Sequence, residues 1–126
     1  MTGVQTCALP IFETGAVTIL RYGAIQDSGR RVNPIIVEGQ IHGGIAHGVG
    51  NALLEWMGYD EAGQPVTTTL ADYLLPTATD FPSIRAVALE LKPSPLNPLG
   101  ANGAGEGGII PVGGVIANAE IGRAHV

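Results

Sequence analysis

The sequence predicts an α+β fold, with helices packed on short strands. Three observations carry that expectation. Residues 16–25 and 85–91 alternate in strand fashion, and the stretch after Asn33-Pro34 repeats its apolar and small residues at three- and four-residue steps. Glycine and proline, 19 and 9 of 126 residues, mark most of the breaks between these segments.

Taken in order, Thr14-Gly15 reads as a turn and Ala16 to Ile25 as a loosely alternating strand through Val17, Ile19, Leu20 and Tyr22. Gln26-Asp27-Ser28-Gly29 supplies turn-forming side chains that close it. Arg30-Arg31 reads as a solvated edge. Asn33 is a good N-cap and Pro34 a good first helical residue, so a helix is expected from residue 34 to Met57, stopped by Gly58. It carries Gly39, Gly43, Gly44, Gly48 and Gly50. Each glycine costs a helix about 1 kcal/mol relative to alanine, so something must approach that face closely, either another helix or a flat ligand. Residues 59–64 read as a hairpin turn between two short strands, and residues 85–91 as one more strand. The run from Lys92 to Pro98 holds Pro93, Pro95 and Pro98, which suits only an extended lead-in. Ile109 to Ala119 is expected to be a small-residue helix with Pro111 in its first turn.

Between those last two segments lies Gly100-Ala101-Asn102-Gly103-Ala104-Gly105-Glu106-Gly107-Gly108. Five glycines around one carboxylate imply backbone that passes close to something or takes positive φ. Glu106 is therefore a candidate functional carboxylate, the alternative being a solvated Glu on a glycine-rich connector. The letters of Gly103-x-Gly105-x-x-Gly108 fit a dinucleotide fingerprint, but a proline-rich loop stands where that motif requires a strand. His42 and His47 are not spaced to place two metal ligands on one helical face, so no metal ligand is assigned to the chain.

Charged residues make up only 13% of the chain, about half the usual share, so much of the surface is expected to face other protein. The net charge of −5, without a basic stripe, speaks against nucleic acid. No apolar run reaches membrane-spanning length. The two ends are a separate matter. Residues 121–126 back-translate to ATC GGA AGA GCA CAC GTC, whose reverse complement, one base out of frame, encodes Thr6-Cys7-Ala8-Leu9-Pro10-Ile11. Residues 1–11 and 120–126 are accordingly expected to be translated sequencing adapter that makes few contacts, leaving 12–119 as the credible chain. The single cysteine, Cys7, falls in that excluded part.

Residues 33–50, Asn33-Pro34-Ile35-Ile36-Val37-Glu38-Gly39-Gln40-Ile41-His42-Gly43-Gly44-Ile45-Ala46-His47-Gly48-Val49-Gly50, resemble the large molybdenum-binding subunit of the xanthine dehydrogenase and aldehyde oxidase family. The similarity is greatest to the aerobic carbon-monoxide-dehydrogenase-type branch. Asp72-Tyr73-Leu74-Leu75-Pro76 and Gly103-Ala104-Gly105-Glu106 follow in the family's order and spacing. The resemblance implies a C-terminal fragment of a molybdopterin-binding domain, inactive alone, from an enzyme that hydroxylates an aldehyde, N-heterocycle or similar small substrate with water as oxygen source. It implies a molybdenum–molybdopterin cofactor in its cytosine dinucleotide form, iron–sulfur clusters and FAD on partner subunits, a dimer of heterotrimers and a cytoplasmic location. Glu106 matches the family's catalytic base, and burial is expected to raise its basicity. Gln40 matches a glutamine that hydrogen-bonds the cofactor, with Gly39, Gly43, Gly44, Gly103, Ala104 and Gly105 letting pterin and backbone come close. Gln40 should then lie beside the Glu106 loop. His47 and Asn102 stand where many members have Gln and Lys. The cysteine loop of true CO oxidisers lies upstream, so CO is not supported as substrate. A non-catalytic scaffold with the same fold is the alternative.

Overall fold

The computed structural model describes residues 2–11 and 14–124, with side chains described for residues 14–121. Strand β1 (Thr2–Ile11) pairs antiparallel with β2 (Ala16–Asp27), which pairs in parallel with β3 (Ile84–Leu89). Helix α1 (Pro34–Leu53) lies in the crossover from β2 to β3, and α2 (Val112–Ala124) ends the chain. A single turn of 3-10 helix, Ala78–Asp80, leads into β3.

The loose alternation of β2 has a definite cause. Arg21 pairs with Cys7 and Ile19 with Ala8, so Leu20 has no partner residue on β1. This bulge resets the pleat and lets Ile19 and Tyr22, three apart, both face the core with Ala24. Helix α1 offers Val37, Ile41, Ile45 and Val49 to the same core at four-residue steps, and α2 adds Val112 and Ile116. α1 packs on α2 and β3, and α2 on β1, so the two helices lie side by side on one face of the sheet. That is the expected α+β class.

The start of α1 is as expected: Asn33 Oδ1 accepts the Ile36 amide at 3.3 Å, and Pro34 opens the helix. Its end is earlier. The amides of Leu54 and Glu55 both donate to the Gly50 carbonyl, at 2.9 and 2.8 Å, which exhausts the ladder at Leu53. Pro76 crosses over Gly50 there, closely enough that a Cβ on Gly50 would meet its ring at 2.9 Å. Residues 59–64 form a turn but not a hairpin of two strands, because only a bridge between Tyr59 and Pro65 flanks it. Asp60 Oδ1 takes the amides of Ala62 and Gln64, satisfying the turn locally. Pro111 precedes α2 and accepts the Val115 amide at 3.0 Å, so the helix starts at Val112 and not at Ile109.

Residues 1–11 do not stand apart as expected, since β1 pairs along the length of β2. The ladder is made by backbone groups, and an unpaired edge of β2 accepts any extended chain that the turn at Gly15 (φ 69°) delivers to it. Pairing therefore says nothing about where the segment comes from. α2 likewise runs past Ala119 to Ala124, and residues 125–126 lie outside the described residues.

The exit of β2 is tied down from several sides. Asp27 Oδ1 accepts the Gly29 amide at 2.9 Å, while its Oδ2 accepts the amides of Leu91 and Lys92, each at 3.0 Å. Beside it, Glu90 Oε1 accepts the Arg31 amide at 2.6 Å and lies 3.4 Å from Arg31 Nε. The amide of Arg31, and secondarily its charge, holds the Glu90 carboxyl below the usual carboxylate range.

Candidate functional site

The loop bearing Glu106 begins where it is clasped to the β2–α1 turn. Asn102 donates its amide to the Ser28 carbonyl and its Nδ2 to the Lys92 carbonyl, both at 2.8 Å. Asn97 brackets Ala101, accepting its amide at 3.1 Å and donating to its carbonyl at 2.8 Å. Gly100 takes φ 67°, and its carbonyl accepts the amides of Arg30 and Ser94 at 3.0 Å each. Asn102, singled out as a departure from the family pattern, is thus a structural clasp in this chain.

Beyond Asn102 the chain passes over α1. Residues 106–110 form a turn in which the Glu106 carbonyl accepts the amides of Ile109 at 3.1 Å and Ile110 at 3.4 Å. None of Gly103, Gly105, Gly107 and Gly108 has positive φ. Of the two reasons offered for their density, close approach is therefore the one that operates, at Gly107 and Gly108. A Cβ on Gly108 would lie 2.5 Å from the Ile41 carbonyl oxygen and 3.2 Å from Gly44 Cα. Gly44 meets Gly108 and the Ile109 amide at 3.0 Å, and Gly48 meets Val112 Cβ at 2.5 Å, on the same terms. Gly39, Gly43 and Gly103 have nothing within 4 Å.

The structure brings the two distant halves of the expected site together: a Cβ on Gly105 would lie 3.9 Å from Gln40 Oε1. Gln40, Gly39, Gly43, Gly103, Gly105 and Glu106 are exposed, whereas the Ala104 side chain packs against the core. Ala104 is therefore left with its backbone alone to offer a ligand. In this chain Glu106 is exposed, whereas the burial expected of it is that of the intact enzyme. Its carbonyl anchors the turn. His42 Nε2 is buried without a hydrogen-bond partner, while His47 is exposed. Among the described residues no group of three His, Cys, Asp or Glu is placed to hold a metal ion.

Gly39, Gly43 and Gly103 have open backbone, Gln40 and Glu106 are exposed, and Gln40 lies beside Gly105. A cleft of about 120 Å³ elsewhere on α1 is lined by Arg31, Pro34, Glu38, Ile41, Ala86 and Ala88, with no residue of the Glu106 loop. One part of the arrangement escaped the sequence: Gln26 and Ser28, buried polar residues at the end of β2, lie under the loop. The available signal was Gln26 itself, a polar residue in phase with Tyr22 and Ala24 on the buried face.

Comparison with known proteins places the chain in a family. The model of the molybdopterin cofactor-binding domain matches residues 1–82. The gamma subunit of the 6-hydroxypseudooxynicotine dehydrogenase complex of Paenarthrobacter nicotinovorans is 46% identical over 107 residues, 85% of this chain and 14% of that one. The carbon monoxide dehydrogenase large chain of Hydrogenophaga pseudoflava is 40% identical over 105 residues, 82% of this chain and 13% of its own. Among solved structures, quinoline 2-oxidoreductase from Pseudomonas putida 86 superposes with a TM-score of 0.85 at 43% identity, covering 94% of this chain and 15% of that one. The chain thus spans 13–15% of the length of these relatives.

Proposed function

The chain belongs to the molybdopterin cofactor-binding domain family, alongside carbon monoxide dehydrogenase large chains and xanthine dehydrogenase molybdenum-binding subunits, and from that premise we propose that it forms one wall of the active site of a molybdenum hydroxylase. In this proposal residues 12–119 are the native part. When bound, a molybdenum–molybdopterin group, in its cytosine dinucleotide form, supplies the redox chemistry for hydroxylating a carbon centre with water as the oxygen source. The chain's own contribution is narrower. Gln40 hydrogen-bonds the cofactor's polar edge, and Gly39, Gly43, Gly103, Gly105 and the Ala104 backbone leave it room, whereas Gly44, expected to do the same, is filled by Gly108 and Ile109. Glu106 accepts a proton at its carboxylate as the carbon–oxygen bond forms.

Since the described residues leave Glu106 in solvent, its desolvation falls to the rest of the subunit. The fragment is thus inactive alone. Iron–sulfur and FAD subunits would carry electrons away in a dimer of heterotrimers, placed in the cytoplasm. Among the described residues no helix is long and apolar enough to cross a membrane. Relatives named for 6-hydroxypseudooxynicotine, nicotine and quinoline favour an N-heterocycle or related small molecule as substrate.

The observation that carries the proposal is the meeting of Gln40 and Gly105, the neighbour of Glu106, from distant segments of the chain. Its test is Glu106→Gln in the intact enzyme. Molybdenum content should hold while kcat falls about 10²–10⁴-fold, the usual loss for a general base. A fully loaded variant within about threefold of wild type, well short of that loss, would rule out Glu106 as the base.

A further inference from the structure

The turn that presents Glu106 rests on Gln26. This residue, one from the end of β2, is 4% exposed. Its Nε2 donates to Ser28 Oγ at 3.0 Å, and its Oε1 is buried without a hydrogen-bond partner. A Cβ on Gly107 would lie 2.5 Å from Gln26 Cδ, so Gly107 faces the amide too closely for any side chain of its own. On its other side the turn meets α1, where Gly108 abuts Ile41. The residue after Glu106 is therefore held against β2, and the next against α1.

Native proteins strand few buried polar atoms, and each needs a reason. An alkyl side chain of similar length would fill the space under Gly107 without one. Glu106 itself is exposed, so what the described residues fix is the backbone from which its side chain projects.

We propose that Gln26 is a positioning residue for Glu106, a claim that rests on the role given to Glu106 above. The planar amide sets the height and pitch of the Gly107 backbone. Through Ser28, whose carbonyl takes the Asn102 amide at 2.8 Å, the same strand end also holds the start of the loop. Both ends of the Glu106 segment are thus referred to one point on the sheet. Gln26 touches neither substrate nor cofactor in this scheme.

The experiment uses the intact enzyme, loaded and apo, with Gln26→Met, which keeps length and removes the amide, and Gly107→Ala, which lifts the backbone off it. Both should keep molybdenum content and KM within about twofold while kcat falls about 10²-fold, the scale of a 1 Å misplacement. The acid limb of the kcat–pH profile should move. In the apo subunit, amide exchange across residues 103–110 should quicken about tenfold or more, with residues 34–53 unchanged. Gln26→Glu, which retains the shape, should be the mildest of the three, and it carries the test if Gln26→Met fails to load. The proposal is overturned if kcat, the pH limb and exchange at 103–110 all stay at wild-type values. It is equally overturned if kcat falls only in step with lost molybdenum and with exchange quickening throughout the subunit, which is the pattern of general destabilisation. Should Glu106→Gln remain active, the role of Glu106 fails, while exchange at 103–110 still reports whether Gln26 holds the turn.

Discussion

Helix α1 carries the same residue to two different ends. Gly44 and Gly48 are closed against Gly108, Ile109 and Val112, so close that a methyl group at either would collide. Gly39 and Gly43, a turn nearer the N-terminus, have nothing within 4 Å. A helix surrenders about 1 kcal/mol for each such glycine relative to alanine. In the closed pair that loss is offset by a close approach of backbones that no larger residue permits. In the open pair the described residues offer no offset. The difference separates glycines that serve this fold from glycines that anticipate something laid on it.

The largest expected effect lies in the closed half. Gly108→Ala drives a methyl into the Ile41 carbonyl on one side and Gly44 on the other, neither of which can rotate away. Overpacking of this kind costs about 3 kcal/mol or more, and Gly48→Ala against the Val112 side chain about 1–2 kcal/mol. Urea midpoints of the chain measure both, and wild-type stability in Gly108→Ala would erase the distinction between the halves.

Alkaline pH should loosen the same half. Tyr22, in the core with Ile41 and Val112, is raised by burial to about 12 from 10.0. The unfolded phenol ionises first, so stability is complete below pH 10 and falls as pH climbs toward 12. The ceiling on that loss is about 3 kcal/mol. Thermal melts from pH 8 upward should show it, and Tyr22→Phe should make the slope shallower.

Substitutions in the open half have the opposite sign. Gly39→Ala and Gly43→Ala should each stabilise the isolated chain by up to about 1 kcal/mol through helix propensity. In the intact enzyme the same changes should lower molybdenum content. Full loading in both variants would show that this face receives no ligand.

The smallest effect lies outside both halves. The Thr77 amide, then its hydroxyl, holds the Asp80 carboxyl below its ordinary value. That contribution is present above the unfolded value and fades as pH falls through the folded one. Asp80→Asn should flatten a shallow acid slope in melting temperature and leave exchange along α1 untouched.

Local chemistry was legible in advance and remote contacts were not. Asn33-Pro34 announced the start of α1 because a cap and its helix are neighbours in sequence. Its end was misplaced because Gly50 closes the ladder where Pro76, from far along the chain, crosses it. The nearness of Gln40 to the Glu106 loop followed from resemblance, since nothing in the spacing of either segment points to the other. The support from Gln26 stayed hidden for the same reason: it exists only once β2 and the loop are stacked. Exposure of Glu106 could not be read either, because burial belongs to the assembled surface and this chain builds only part of it.

Asp27 has a consequence for how the sheet can fail. The ends of two parallel strands converge on that one carboxylate, β2 through Gly29 and β3 through Leu91 and Lys92. Parallel neighbours in a sheet can trade one alignment for another by sliding, and a step of one residue is about 3.3 Å. Such a step would pull two amides off Asp27 at once and draw Glu90 away from Arg31. It would also turn the inward side chains of β3 outward. The carboxylate therefore acts as a latch on alignment: slippage has to break several bonds together, and the strand that supports the glutamate loop keeps a single setting.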